Sequence, residues 1–361
     1  MGTTPANASR AQPPPDPARY TPMTDKKHPL YFLGPQWFAP VMGWCGLALA
    51  WYRAQEGFGA GAALICAACG AVAALIFVTV LAAAMLRYVR HPGALAEDLA
   101  HPVRQGFAAA FPVSIILLAT VGVALGLPDR LNEIVWAIGL AVQLGVTTWI
   151  ISRWLAGKLR WASMTPVVYI PIVGNILVPL AGVPLHHEAV SWAFFGIGAF
   201  FWPVVTALVL ARQVHQPMPD RLAPAWFITI APPSVAGLSA LTLGAPFAVA
   251  YAALGAGGVM LLAVATRVPA IVKAPFAMPS WAASFPLAAF SALLFRATAD
   301  APGLRLPSIL MLVVTSLVVL GLTLATIRGL RAGTLLAPEP VAVLSVEPAA
   351  AAAAVPAGPL A

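Results

Sequence analysis

Five apolar stretches of the sequence each carry a proline near the middle of a segment long enough to be a membrane helix. These prolines follow one another at intervals of 72, 59, 61 and 54 residues, or roughly two membrane crossings plus loops at ~20 residues per crossing. A proline inside a helix removes one backbone hydrogen bond and bends the axis. In lipid, such a break is tolerated where protein or a water-filled cavity receives the freed carbonyl groups. The pattern therefore predicts five bent helices around one central path. The five prolines are Pro40, Pro112, Pro171, Pro232 and Pro286.

The composition assigns the chain to the polytopic membrane proteins. Of its 361 residues, 60% are hydrophobic and only 9% are charged, and the mean hydropathy is +0.87. A soluble domain of this size does not need so much apolar surface, so the lipid bilayer is the expected partner. The net charge of +8 does not indicate a nucleic-acid partner, because the basic residues are scattered singly and form no patch.

The hydropathy pattern predicts an all-α membrane protein of ten transmembrane helices, arranged as five helical hairpin repeats. All five central prolines fall on odd-numbered spans, so we expect the odd helices to form an inner pore ring inside the straighter even helices. Residues 1–29 are predicted to be a disordered N-terminal tail, 30–331 the transmembrane domain, and 332–361 a disordered Ala/Pro-rich C-terminal tail. The predicted spans are 36–52, 60–86, 106–127, 134–155, 167–183, 189–211, 224–243, 246–266, 280–295 and 306–327.

The distribution of basic residues predicts the orientation of these spans. With both termini in the cytoplasm, sixteen of the 20 Lys and Arg residues fall on the cytoplasmic side, and Arg104 lies at the cytoplasmic mouth of the path. Such an excess follows the positive-inside rule. The other side holds only Arg53, Arg130, Arg296 and Arg305.

The interior of the spans offers only mild polar chemistry. No charged residue lies in mid-span, and no catalytic, cofactor-binding or metal-binding motif is recognised, so neither an enzyme nor a cofactor is predicted. Isolated Ser and Thr residues in membrane helices commonly serve packing, but together they could present weak donors to a passing anion. A neutral lining of this kind is suited to conduction rather than to tight binding. The candidate lining residues are Phe38, Phe111, Ser114, Asn175, Thr229, Ser234 and Ser284.

Three motifs resemble the tellurite-resistance/dicarboxylate transporter family, which includes TehA-like bacterial proteins and the plant slow-type anion channels. The sequence QWFAPVMG at 36–43 is similar to the first helix of that family, and EDLAHPVR at 97–104 resembles its signature before the third helix. The sequence WAASFP at 281–286 is similar to the ninth-helix segment that carries a gate phenylalanine in the family. The resemblance covers about residues 30–331.

This resemblance implies ten helices, a homotrimer with one pore per subunit, and permeation of small inorganic or organic anions. It assigns the pore gate to Phe285 and implies a bacterial inner (plasma) membrane protein. The leading hypothesis is an anion channel that Phe285 occludes. A secondary transporter of C4-dicarboxylate, sulfite or tellurium oxyanions is the alternative, although no buried carboxylate or histidine is available to carry a proton. A membrane enzyme or redox subunit is disfavoured, because no polar groups cluster at one depth.

Overall fold

The computed structural model describes residues 29–158 and 161–337, and all regular structure in these two ranges is helical. Most of both predicted tails, residues 1–28 and 338–361, lies outside the described residues. Within the described part of the C-terminal tail, Leu335 packs back towards Gly329 near the end of the last helix. The α-helices are α1 Ala39–Arg53, α2 Gln55–Arg90, α3 Ala94–Ala100, α4 Arg104–Phe107, α5 Ala110–Ala124, α6 Asp129–Leu155, α7 Tyr169–Val173, α8 Pro179–Gly182, α9 Glu188–His215, α10 Ala231–Thr242, α11 Phe247–Ala265, α12 Val268–Lys273, α13 Ser284–Ala297 and α14 Arg305–Arg331.

Eight helical stretches of the described residues are long and apolar enough to cross a membrane. They correspond to all the predicted spans except the first and the fifth. Helix α1 has 15 residues, which at ~1.5 Å per residue is shorter than the ~30 Å hydrocarbon layer. The fifth span, Pro166–Gly182, is a shorter apolar helix, because two short α-helices and two 3-10 turns replace one continuous helix. The eight stretches are Gln55–Arg90, Arg104–Ala124, Asp129–Leu155, Glu188–His215, Asp220–Thr242, Phe247–Ala265, Met278–Ala297 and Pro302–Arg331.

Burial divides the helices into two groups. In the most apolar part of Arg104–Ala124, Asp220–Thr242 and Met278–Ala297, 72%, 72% and 89% of the residues are buried. The corresponding share is between 17% and 28% in the other five stretches. Helix α1 and Pro166–Gly182 are also mostly buried. We call residues 35–53 and the stretches Arg104–Ala124, Pro166–Gly182, Asp220–Thr242 and Met278–Ala297 the inner segments, and α2, α6, α9, α11 and α14 the outer helices.

Every inner segment changes its helical geometry just before its central proline. The proline is the second or third residue of an α-helix, and a 3-10 helix or a single short α-turn precedes it. The first four N–H groups of an α-helix have no partner within the helix, so a proline at this position removes no hydrogen bond. The structure thus differs from the expected bend at the proline itself, because the irregular turn comes first. The preceding elements are Pro35–Phe38, Arg104–Phe107, Pro166–Val168, Asp220–Ile230 and Met278–Ala283.

Polar side chains of the outer helix α6 bind the backbone that the irregular fifth span exposes. The amide nitrogen of Gln143 donates to the carbonyl oxygens of Ile170 and Pro171 at 3.3 and 3.2 Å. The hydroxyl of Thr147 donates to the Pro171 carbonyl oxygen at 2.6 Å. An unpaired carbonyl group away from water raises the free energy of the folded state. By donating to these carbonyl groups, Gln143 and Thr147 stabilise the irregular fifth span inside the bundle.

Candidate functional site

The five inner segments meet around a cavity of about 60 Å³. It lies beside the irregular turns, where the 3-10 geometry gives way to α-helix. Each inner segment contributes at least one side chain to its wall. The lining residues are Ala39, Met42, Phe107, Val113, Tyr169, Ile170, Val173, Gly174, Ile176, Leu177, Ile228, Ala231, Pro232, Val235, Trp281, Ala282, Phe285 and Pro286.

The wall of this cavity carries no Asp, Glu, Lys, Arg or His. Its single phenol, on Tyr169, donates from its hydroxyl to Thr206 Oγ1 of α9 at 2.8 Å, so the polar tip is turned towards an outer helix. Trp281 likewise donates its indole N–H to Thr326 of α14 at 2.9 Å. The cavity is therefore bounded by apolar surface, and it offers an ion no fixed charge to hold it.

Phe285 lies in the wall of the cavity and is 8% exposed. Its ring packs against α1 where Gly46 leaves room, since a Cβ atom on Gly46 would lie 3.0 Å from Phe285 Cδ2. Gly43 makes a similar close approach to Ser284, one residue earlier in α13. The two glycines allow α1 and α13 to pack closely, and a bulkier residue at Gly46 would push against the ring.

Of the residues that the sequence analysis singled out for the path, three line the cavity: Phe285, Pro232 and Pro286. Phe38 and Phe111 are not among the lining residues. Their ring centroids are 5.2 Å apart, and both rings contact Phe77 of the outer helix α2. The prolines that do not line the cavity are Pro40, Pro112 and Pro171.

The predicted hydroxyl donors are engaged by neighbouring carbonyl groups and do not line the cavity. Ser114, Thr229, Ser234 and Ser284 each donate to a backbone oxygen three or four residues earlier, at 2.6 to 2.7 Å. Asn175 donates to Thr147 Oγ1 at 2.9 Å and to the Ile172 carbonyl at 2.7 Å. An anion would have to compete with these bonds, so the hydroxyl groups act first in stabilising the inner segments.

Arg104 lies beside a buried acidic residue at the start of its segment. Its Nη1 is 3.4 Å from Asp98 Oδ1, and 18% of its side chain is exposed. The same carboxylate pairs with both terminal nitrogens of Arg87, at the end of α2. Two guanidinium groups thus share the carboxylate of Asp98.

Most of the apolar residues of the wall were not predicted from the sequence. Nevertheless, every lining residue lies within six positions of one of the five central prolines. Met42 follows Pro40 by two positions, and Trp281 precedes Pro286 by five. The distance to the nearest proline thus marks the segments that contain the wall residues, although it does not single out those residues within each segment.

The buried, irregular inner segments and the neutral cavity are features of a membrane channel or transporter. Residues 33–327 match the family of voltage-dependent anion channels, SLAC1, and the chain belongs to this family.

Relatives of the chain include both transporters and channels. An uncharacterized transporter of Methanocaldococcus jannaschii, MJ0762, is 27% identical over 245 residues, which are 60% of this chain and 71% of that protein. A second uncharacterized transporter of the same organism, MJ0576, is also 27% identical over 245 residues, 60% of this chain and 70% of that protein. The S-type anion channel SLAH2 of Arabidopsis thaliana is 24% identical over 214 residues, 58% of this chain and 41% of that protein. The family and its apolar helices identify the chain as an integral membrane protein, and they indicate anion transport rather than catalysis.

Proposed function

We propose that the protein is an anion channel that conducts small anions through the central cavity, with the ring of Phe285 as the occluding element. The observation that carries this proposal is the position of Phe285 in an uncharged wall to which all five inner segments contribute. Weak interactions along a path let an ion leave as readily as it enters, which conduction requires. The net charge of +8 over the whole chain favours anions over cations.

The proposal is tested by anion currents in planar bilayers with the purified variant Phe285→Ala. If the ring occludes the path, its removal lowers the barrier to permeation, and a barrier lower by about 1.4 kcal/mol would raise the current about tenfold. Phe290→Ala is the matched control, because Phe290 lies on the same helix and is 7% exposed but does not line the cavity. An increase in Phe285→Ala alone supports the proposal. Equal currents in both variants and in the unmodified protein, at equal incorporation, would remove Phe285 from this role.

A secondary transporter of C4-dicarboxylate, sulfite or tellurium oxyanions is the second candidate, because two relatives carry the name of transporter. The absence of any carboxylate or imidazole in the cavity wall argues against proton coupling at this point. Saturable uptake into proteoliposomes that is driven by a pH gradient would favour the carrier over the channel.

We further propose that the inner segments and outer helices are ten membrane spans in five hairpins, with both termini in the cytoplasm of a bacterial cell. The pairing of each inner segment with the outer helix that follows it supports the hairpins, and the sixteen-to-four division of Lys and Arg supports the orientation. A homotrimer in the inner membrane is the expected assembly. Native mass spectrometry from mild detergent would contradict it by showing only monomers.

A further inference from the structure

A second, polar hollow of about 350 Å³ lies at the end of the molecule where α1 and α13 finish, which we call the far end. Arg53, the last residue of α1, and Arg296, near the end of α13, both line it. Gln55 and Glu56, at the start of α2, and Tyr52 complete its polar side. The hollow therefore brings together two guanidinium groups from two different inner segments.

The positive charge of this hollow is only partly compensated. Within the part of the chain that the structure describes, neither Arg53 nor Arg296 forms an ion pair with a carboxylate. Arg53 lies over the ring of Tyr52 at 5.3 Å, and Arg296 over that of Phe247 at 5.5 Å. The two guanidinium groups are near enough to repel each other, and Glu56 supplies the one opposing charge in the lining. The two arginines and Glu56 give the lining a net charge of +1, and the two positive charges are neighbours.

The register of the helices places this hollow on the same side as the central cavity. Arg53 follows the cavity residue Met42 by eleven positions on α1, and Arg296 follows Phe285 by eleven positions on α13. Eleven residues are about three helical turns, so each arginine lies on nearly the same helix face as its cavity residue, roughly 16 Å further along. Since both helices show this offset, the hollow lies in line with the cavity along the far end of α1 and α13.

We propose that Arg53 and Arg296 form an anion-binding site at the far mouth of the path, which takes small carboxylates or other oxyanions. A planar group with two oxygen atoms can accept paired hydrogen bonds from a guanidinium group, whereas a spherical ion cannot. The site attracts the anion at the mouth, and the neutral cavity beyond it lets the anion pass. This inference rests on the proposed anion conduction, because it assigns a substrate class to the same path.

The test is anion binding by the purified full-length protein, measured apart from transport. Thermal unfolding in detergent is followed while malonate, nitrate or chloride is titrated at constant ionic strength. We expect malonate and nitrate to stabilise the protein more than chloride. The variants Arg53→Gln and Arg296→Gln should each raise the apparent dissociation constant about tenfold, as expected for the loss of hydrogen bonds to a charged group.

Two further variants keep the test decisive if an arginine variant folds poorly. Glu56→Gln removes the opposing charge from an exposed side chain, and it should tighten malonate binding. Arg130→Gln is the matched control, because Arg130 is predicted on the same side of the membrane but does not line the hollow. It should leave binding unchanged.

The outcomes separate this site from the proposed function. The site is overturned if the unmodified protein shows no oxyanion-dependent stabilisation, or if Arg130→Gln weakens binding as much as the variants of the hollow. If malonate binding depends on Arg53 and Arg296 while bilayers show no anion current, the site stands and the proposed conduction fails. If current persists and binding does not depend on these arginines, conduction stands and the site fails.

Discussion

Two outer helices, α2 and α9, each carry a buried arginine in or near their last turn. Only the arginine of α2 is paired with a carboxylate from the described part of the chain. Arg87 in α2 is fully buried, pairs with Asp98 through two nitrogens, and donates its Nε to the Tyr31 carbonyl oxygen at 2.8 Å. Arg212 in α9 is 1% exposed, and its Nε and Nη2 have no hydrogen-bond partner among the described residues. Burial alone therefore does not reveal whether a charged side chain stabilises the fold.

The difference follows from what comes after each helix. After α2 the chain forms the short helix α3, which carries Asp98 back onto Arg87. After α9 the next acidic residue is Asp220, which is largely exposed and lies 4.0 Å from Arg267 instead. The acidic residue thus reaches the buried arginine in one hairpin and remains at the surface in the other.

The largest effect is expected for Asp98→Ala. Removing one partner of a buried ion pair leaves the other charge uncompensated, which costs about 3–5 kcal/mol. Equilibrium unfolding in mixed detergent micelles should show this loss in the free energy of unfolding. A decrease of less than 1 kcal/mol in the free energy of unfolding would mean that Arg87 finds other acceptors or water. The contrast between a neutralised Arg87 and an unpaired Arg212 would then be wrong.

A gain in stability is expected for Arg212→Met. The substitution removes two unpaired donor nitrogens and keeps a long apolar side chain, so the free energy of unfolding should rise by about 1 kcal/mol. Arg87→Met is the matched variant at the neutralised end, and it should destabilise, because the buried Asp98 would keep only the longer contact with Arg104 and the Tyr88 hydroxyl. A loss of stability in both methionine variants would contradict the distinction between the two ends.

The smallest effect is expected for Asp220→Ala. Both partners of the pair with Arg267 are largely exposed, and exposed ion pairs contribute about 0–1 kcal/mol. The same unfolding measurement should therefore place this variant within 1 kcal/mol of the unmodified protein. A decrease as large as that of Asp98→Ala would show that Asp220 has a role that its exposure does not indicate.

Much of the fold could be predicted because lipid imposes long apolar helices. Eight predicted spans correspond to helices long enough to cross the membrane, and the motifs at 36–43, 97–104 and 281–286 indicated the family that the comparison confirmed. The first and fifth spans differ, because irregular turns shorten their α-helices. Apolar composition does not report where a helix changes its hydrogen-bond pattern.

The site was less predictable, since proximity to a proline does not say which way a side chain points. Phe38 and Phe285 both lie within two residues of a central proline, yet Phe38 contacts Phe77 and Phe285 borders the cavity. The hydrogen bond from Gln143 to the carbonyl oxygen of Pro171 joins residues 28 positions apart. Such contacts depend on how the helices are packed together, which periodicity along one helix does not determine.

In three of the inner segments the α-helix begins beside the cavity, which has an electrostatic consequence. Ala39, Tyr169 and Ala231 are the first residues of their α-helices, and all three line the cavity. The beginning of a helix carries a partial positive charge from its aligned peptide dipoles, which the preceding 3-10 turns offset only in part. We expect these dipoles to repel cations without any titratable group, so that, if the cavity conducts anions as proposed, acidification would not remove its preference for them.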